Sequence, residues 1–264
     1  MILVVDALNK DRFSTVLDDM YQLRKRVFQD RMGWDVSVKN GREIDEFDEL
    51  DPAYIICLDD DYKVIGCARL LQTTGPHMLS DVFFDILDGE PPLRSATIWE
   101  STRFCVDRDR LSKGAGRNTV GYATCELMAG ILEYGRDSGI QDIITVIDPV
   151  MDRILKRSDN APYGYVGKTA NMGKVKALAA LCDCTDERIN KVRAFAGIEG
   201  EIFLGEDEVA MGRASPDIDA LSAELQTYCH EQITTAGSQH ERVAAMALQQ
   251  ALTGMLRSRR NCDA

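Results

Sequence analysis

A carboxylate and a guanidinium lie three residues apart inside an otherwise mostly apolar run, Ile98-Trp99-Glu100-Ser101-Thr102-Arg103-Phe104-Cys105-Val106. The β-branched and aromatic residues of this run predict a strand. Burying either charge there is costly unless it is paired or put to use. In a regular strand, positions i and i+3 point to opposite faces, so Glu100 and Arg103 diverge. A bulge, adding one residue, turns both toward one cleft. The plain alternative is a half-exposed edge strand with a surface ion pair.

At 264 residues the chain can bury a full core, as one large domain or a domain with an appendage. Its net charge of −12 disfavours nucleic acid and anionic membrane as general partners, and any anionic ligand then needs a local basic patch. Eight cysteines show no zinc pattern, Cys182-x-Cys184 being too closely spaced, so no metal site is expected. A chain of this length needs no staples, and reduced thiols are expected rather than a disulfide framework. Met1 to Val5 is too short for a signal peptide, and no stretch approaches membrane-spanning length. The expectation is a soluble, cytoplasmic protein.

Taken in order, Ile2 to Val5 reads as a short buried strand. Asn9 or Asp11 can cap a following helix, in which Phe13, Val16, Leu17, Met20, Leu23, Val27 and Phe28 fall at helical spacing, with Arg24 on the same stripe. Residues 30–52 lack periodicity and form a long loop, strongly acidic at Glu43, Asp45, Glu46, Asp48, Glu49 and Asp51. Trp34 and Phe47 argue against disorder, so this is either a solvated charge run or a pocket for a cation closed over by Trp34. Tyr54 to Leu58 and Lys63 to Leu71 read as a hairpin whose second strand Arg69 interrupts, and a short helical piece near Met78 and Phe83 follows.

After the central strand comes a basic loop around Gly114-Ala115-Gly116, with Arg108, Arg110, Lys113 and Arg117, and then an amphipathic helix marked by Val120 to Leu132 and ending near Gly135 to Gly139. A strand, a glycine-bearing basic loop and a helix N-terminus can cradle phosphate, although such loops are common. Asp142 to Ile147 is a strand, Asp148-Pro149 starts a helix to Arg157, Tyr163 to Val166 and Lys174 to Cys182 read as strands, and Thr185 caps a helix stopped by Gly197. At Ser215-Pro216 the composition changes, and two helical stretches, about 217–235 and 239–258, predict a helical hairpin.

Arg24-x-x-x-Phe28, Trp34, Glu43-x-Asp45-x-x-Asp48, Gly66-Cys67-Ala68-Arg69-Leu70, Met78-Leu79 with Phe83, and Trp99-Glu100-Ser101-Thr102-Arg103-Phe104 together closely resemble the acyl-homoserine-lactone synthases, the autoinducer synthases of bacterial quorum sensing. The resemblance covers roughly residues 1–205. It implies an α/β fold in three α-β-α layers, with a mixed, splayed, largely antiparallel sheet similar to that of acyl-CoA N-acetyltransferases. Residues 1–214 then form the synthase domain and 215–264 a helical extension, packed on the body or at a dimer contact.

The resemblance also implies two co-substrates and no cofactor: S-adenosylmethionine, and a fatty acyl thioester on acyl carrier protein or coenzyme A. The α-amine of S-adenosylmethionine attacks the thioester, and lactonisation then releases methylthioadenosine. Under it, Glu100 is the base, with Glu43 the second candidate and Arg103 beside them. Arg24, Phe28, Trp34, Asp45, Asp48, Arg69 and Arg103 bind S-adenosylmethionine, the acids pairing either with its cation or with the arginines. Ser101, Phe83, Met78, Phe104 and Thr145 meet the acyl thioester. Arg108, Arg110, Lys113, Lys156 and Arg157, with Lys168, Lys174 and Lys176, offer a basic face to an acidic carrier. Cys67 and Cys105 are expected as buried packing thiols. An ordinary N-acyltransferase of the same fold, acting on another amine with acyl-CoA, is the competing reading; it leaves the acidic loop with Trp34 unexplained.

Overall fold

The computed structural model describes residues 1–111, 119–172, 175–214, 218–238 and 241–249. Lys113 to Arg117, with their glycines, and Lys174 lie outside the described residues, as do Ser215-Pro216 and the end of the second C-terminal stretch. In chain order the first elements are β1 (Ile2–Val5), α1 (Ser14–Lys25) running into a π-helical turn (Arg26–Arg31), β2 (Val38–Lys39), β3 (Arg42–Glu43), β4 (Ala53–Leu58), β5 (Val64–Gln72), α2 (Met78–Asp81) and β6 (Ile98–Val106). Then come α3 (Val120–Asp137), β7 (Asp142–Ile147), α4 (Pro149–Arg157), β8 (Gly164–Met172), β9 (Val175–Asp183), α5 (Asp186–Ala196), α6 (Glu206–Ala214) and α7 (Ile218–Thr235). Residues 241–249 are helical. The chain divides into two compact units, Met1–Val209 and Ala210–Ala264. No helix among the described residues is long and apolar enough to cross a membrane.

One mixed sheet of seven strands, ordered β1-β4-β5-β6-β7-β9-β8, organises the first unit. Strand alternation sorts its two faces. In β4, Ala53, Ile55 and Cys57 join Ile2 and the α3 residues Ala123 and Leu127 in one core. Tyr54, Ile56 and Leu58 join Phe13, Val16 and Met20 on the other face. Each fully buried aliphatic side chain of this kind contributes roughly 1.5–3 kcal/mol. The expected three layers are thus built from period-two apolar strands between helices. α3 lies close on its face because residue 130 is glycine: a Cβ there would meet Ile2 Cγ1 at 3.0 Å and Ile55 Cγ2 at 3.3 Å.

Two irregularities in β6 position the site. Its pairing with β5 passes from Cys67↔Cys105 to Arg69↔Thr102, so Ala68 faces both Arg103 and Phe104. This is the expected bulge, and Arg103 takes a φ of +54°, uncommon for a residue with a Cβ. On its other edge β6 runs parallel to β7 only from Ile98↔Asp142 to Ser101↔Thr145. Beyond that rung the ladder ends while both strands continue, which opens the splay.

Caps explain several helix ends. Asp148 accepts from Met151 N at 2.7 Å ahead of Pro149, Thr185 starts α5, and Gly197 ends it at φ +66°. The start of α1 differs from expectation. Neither Asn9 nor Asp11 caps it; Phe13 precedes it without a side-chain cap. Asn9 Oδ1 instead accepts from Asp6 N at 2.9 Å, closing the turn after β1. Residues 30–52 are less irregular than expected, holding the β2–β3 hairpin and a helical turn, Glu46–Glu49, whose capping box is made by Asp45 and Asp48.

Candidate active site

Glu43, Asp45 and Asp48 turn inward and meet three arginines drawn from three elements, while Glu46 between them is exposed. Arg24 Nε donates to Glu43 Oε2 at 2.5 Å, and its two Nη atoms fork onto Asp48 at 2.8 and 2.9 Å. Arg69 forks onto Asp45, reaches Asp48 Oδ1 at 2.9 Å, and donates through Nε to Thr102 Oγ1 at 3.0 Å. Arg103, swung over by the bulge, reaches Glu43 at 3.1 Å and Asp45 Oδ2 at 2.7 Å. Arg24, Arg69 and Glu43 have no exposed surface. The hollow is therefore balanced rather than anionic: of the two pairings open from the sequence, its acids serve the arginines. Burial opposes ionisation of Asp48, yet the Arg24 fork, the Arg69 charge and the Asp45 N–H hold its carboxyl well below the usual range.

Phe28 lies in the π turn that follows α1, and Trp34 lies three residues beyond that turn. Trp34 N donates to Phe28 O at 2.9 Å, and the rings stack with centroids 5.2 Å apart and planes at 11°. The Arg103 guanidinium lies 5.7 Å from the Phe28 centroid. Trp34 remains 40% exposed, as a side chain at the mouth of a pocket is.

Glu100 is placed differently from Arg103. Its Oε2 accepts from Met78 N at 2.6 Å and its Oε1 from Leu79 N at 2.7 Å, at the start of α2, and it has no exposed surface. Burial pushes its carboxyl up to about 7, and the two N–H groups and the Arg69 charge keep it from rising further. A carboxylate so placed ionises near neutral pH, the range in which a general base is most effective. The bulge turns Arg103 to the cavity, but Glu100 is not on the lining, so the expectation that both charges face one cleft is corrected. Met78 stands between them, its sulfur 3.4 Å from both Arg69 Nη2 and Arg103 Nη1.

That cavity, of about 300 Å³, passes through the splay. On the α1 face it is lined by Phe28, Trp34, Met78, Phe83 and Arg103. On the α3 face its walls are Ser101, Thr145, Ile143, Thr124, Met128 and Leu132, with Phe104 also on the lining. The Thr145 hydroxyl donates to Ser101 O at 2.9 Å, bracing the last rung before the strands part. Among the expected basic residues, Arg108 lines the cavity, Arg110 and Arg157 are exposed, Lys156 pairs with Asp152 at 2.7 Å and Lys168 pairs with Asp88. Cys67 and Cys105 are buried with sulfurs 3.5 Å apart, and the Cys67 thiol is raised by that contact and by burial.

Tyr54 and Thr102 also belong to the ionic cluster, although neither is assigned a role from sequence. Tyr54 donates to Asp48 Oδ1 at 2.8 Å and meets the Tyr21 hydroxyl at 3.1 Å. The available signal was position: Tyr54 shares its strand face with Ile56 and Leu58, and a phenol on a buried face needs a polar partner.

A family model described as autoinducer synthase matches residues 9–192. The acyl-homoserine-lactone synthase of Agrobacterium fabrum strain C58 is 36% identical over 178 residues, which cover 67% of this chain and 83% of that protein. That of Pseudomonas aeruginosa strain PAO1 is 35% identical over 147 residues, 54% of this chain and 70% of that protein. Among solved structures, the CoA-dependent acyl-homoserine lactone synthase BjaI with SAM and isopentyl-CoA superposes with a TM-score of 0.68 at 26% identity, covering 81% of this chain and 98% of that one. The synthase LasI gives 0.63 at 29% identity, covering 76% and 98%.

Proposed function

Because this chain belongs to the autoinducer synthase family, and is thus an acyltransferase that makes acyl-homoserine lactones, we propose the following chemistry for its site. S-adenosylmethionine occupies the α1 side of the cavity and the acyl thioester the α3 side. The α-amine loses a proton to Glu100, through a water or once the Met78 side chain that separates the two has moved aside, and attacks the thioester carbonyl. An amide forms and a thiol leaves. Backbone N–H groups at the β6 bulge meet the oxyanion. The methionyl carboxylate then displaces methylthioadenosine from its γ-carbon, closing the lactone. The sulfonium is already a good leaving group, so the site mainly folds the chain for attack.

Arg103 is the charged member of the ionic cluster that lines the cavity, and it takes the methionyl carboxylate. Phe28 and Trp34 take the sulfonium or the adenine. Arg24, Arg69, Glu43, Asp45 and Asp48 hold Arg103 in place. Phe83, Phe104, Ser101 and Thr145 guide the acyl thioester, and Arg108, Arg110, Lys156 and Arg157 receive its carrier, acyl carrier protein or coenzyme A. The same reading includes a synthase domain over 1–214, an extension that packs on it or joins a homodimer, a cytoplasmic location and no cofactor.

The single observation carrying this reading is one cavity that crosses the sheet, with an aromatic and ionic end on one face and an apolar end on the other. The purified chain is incubated with S-adenosylmethionine and acyl thioesters on coenzyme A or on carrier protein. Methylthioadenosine and an acyl-homoserine lactone in equal amounts are expected. An acylated amine without methylthioadenosine would instead indicate an ordinary N-acyltransferase.

A further inference from the structure

The α3 side of the cavity carries a polar residue that the proposed chemistry does not use. Asn160 lines it with Ile154, Leu155, Met128 and Cys182, and is 4% exposed. Cys182 pairs with Ile143, two residues before Thr145 along β7. This group therefore lies about 6–7 Å further from the splay than the Ser101–Thr145 rung.

The orientation of the Asn160 amide is fixed by chemistry. Its Oδ1 accepts from Arg188 Nη1 at 3.1 Å. A guanidinium only donates, so the amide oxygen must face it and the nitrogen must face away. Arg188 is itself held by Asp183 Oδ2, at 3.1 and 2.8 Å, and by Ala161 O at 2.7 Å. Asn160 Nδ2 has no hydrogen-bond partner among the described residues, where His77 Nε2 is the one fully enclosed side-chain nitrogen or oxygen without a partner. Asn160 Nδ2 thus keeps access to open space, and the cavity is an open space that this residue borders. The Thr124 and Thr145 hydroxyls on the same wall already donate to Val120 O and Ser101 O.

An alkyl chain laid over this amide strips its water and leaves a donor unpaired, whereas an oxygen there restores the bond. We propose that the acyl group transferred by this enzyme carries a neutral acceptor oxygen, a hydroxyl, ketone or ether, remote from its thioester, and that Asn160 Nδ2 donates to it. The proposal rests on the synthase reading above.

The test uses S-adenosylmethionine with matched thioester pairs over a series of chain lengths, each plain acyl group beside its counterpart hydroxylated at or next to the far end. Each pair is presented on coenzyme A and on carrier protein, and kcat/KM is read from methylthioadenosine release. At the fitting length the oxygenated chain is expected to be favoured about fivefold or more. Asn160→Leu should abolish that preference by improving the plain chain. Preference for the plain chain at every length, or an unchanged ratio in Asn160→Leu, would overturn the proposal, leaving Asn160 as a support for Arg188. If the variant does not fold, the wild-type ratios decide alone. If no thioester yields methylthioadenosine, the synthase reading itself has failed, an outcome distinct from turnover without discrimination.

Discussion

Met78 separates Glu100 from the cavity: its N–H donates to Glu100 Oε2 at 2.6 Å while its side chain lines the cavity beside Arg103. One residue thus shields the carboxyl from water and touches the space where an amine would sit. The shielding raises the carboxyl toward neutrality, and the N–H keeps it ionisable. A carboxyl open to solvent would ionise near the ordinary 4.5 and be a weaker base at neutral pH.

The elevated carboxyl has a consequence for stability. Folding favours protonated Glu100, so its contribution is fully present below the ordinary value of 4.5 and is lost as pH rises through about 7. That displacement is worth roughly 3 kcal/mol once the group is ionised. Glu100→Gln is neutral throughout. Urea unfolding followed across this window should show the wild type losing stability relative to the variant as pH rises. Parallel curves would mean that Glu100 does not titrate there.

Asp48 accepts from Arg24, Arg69, Tyr54 and Asp45 N, which makes it the hub of the buried cluster. Asp48→Asn strips negative charge from two arginines with no exposed surface and should cost about 3–5 kcal/mol. Tyr54→Phe removes one donor to a charged group and should cost about 1.5–3 kcal/mol. The Asp48 carboxyl is depressed, so its stabilisation is present above the ordinary 3.8 and fades as pH falls toward the lower folded value. Denaturant titrations rank the pair; a smaller loss for Asp48→Asn than for Tyr54→Phe would contradict the hub.

Trp34 contributes through its stack on Phe28. Trp34→Ala should raise the KM for S-adenosylmethionine about tenfold and leave kcat within a few-fold, with Trp34→Phe recovering most of the loss. Steady-state kinetics separate the two parameters. A fall in kcat at constant KM would move Trp34 from binding to chemistry.

Much of the architecture was legible because local signals agreed. Thr185 and Gly197 bracket α5, Asp148-Pro149 starts α4, and alternation in β4 assigns both sheet faces. The bulge was legible as the way to reconcile two charges in one strand. Less was legible where long-range partners decide. The π turn at Arg26–Arg31 carries the same apolar spacing as an α-helix, and the 43–48 acids look solvated until Arg24, Arg69 and Arg103 converge on them. Asn160 has meaning only once Arg188, 28 residues away, fixes its oxygen.

Gly167 tests the far edge of the sheet. It sits at φ +63° in the irregular part of β8, and a Cβ there would fall on the Ile86 carbonyl oxygen. Gly167→Ala should destabilise the chain by about 3 kcal/mol or more, combining a disfavoured backbone with a clash against main chain. Thermal unfolding of the variant checks this, and a wild-type midpoint would show that the 84–87 turn does not press on β8.

The most direct measurement is kcat/KM for S-adenosylmethionine as a function of pH for the wild type and Glu100→Gln, since this parameter reports groups of the unliganded enzyme, with lactone followed by mass spectrometry. The wild type should rise through an apparent pKa near 7, the value to which burial lifts Glu100, and the variant should turn over about 10²–10⁴ times more slowly without that rise. A variant with the wild-type rate and profile would contradict Glu100 as the group that takes the amine's proton.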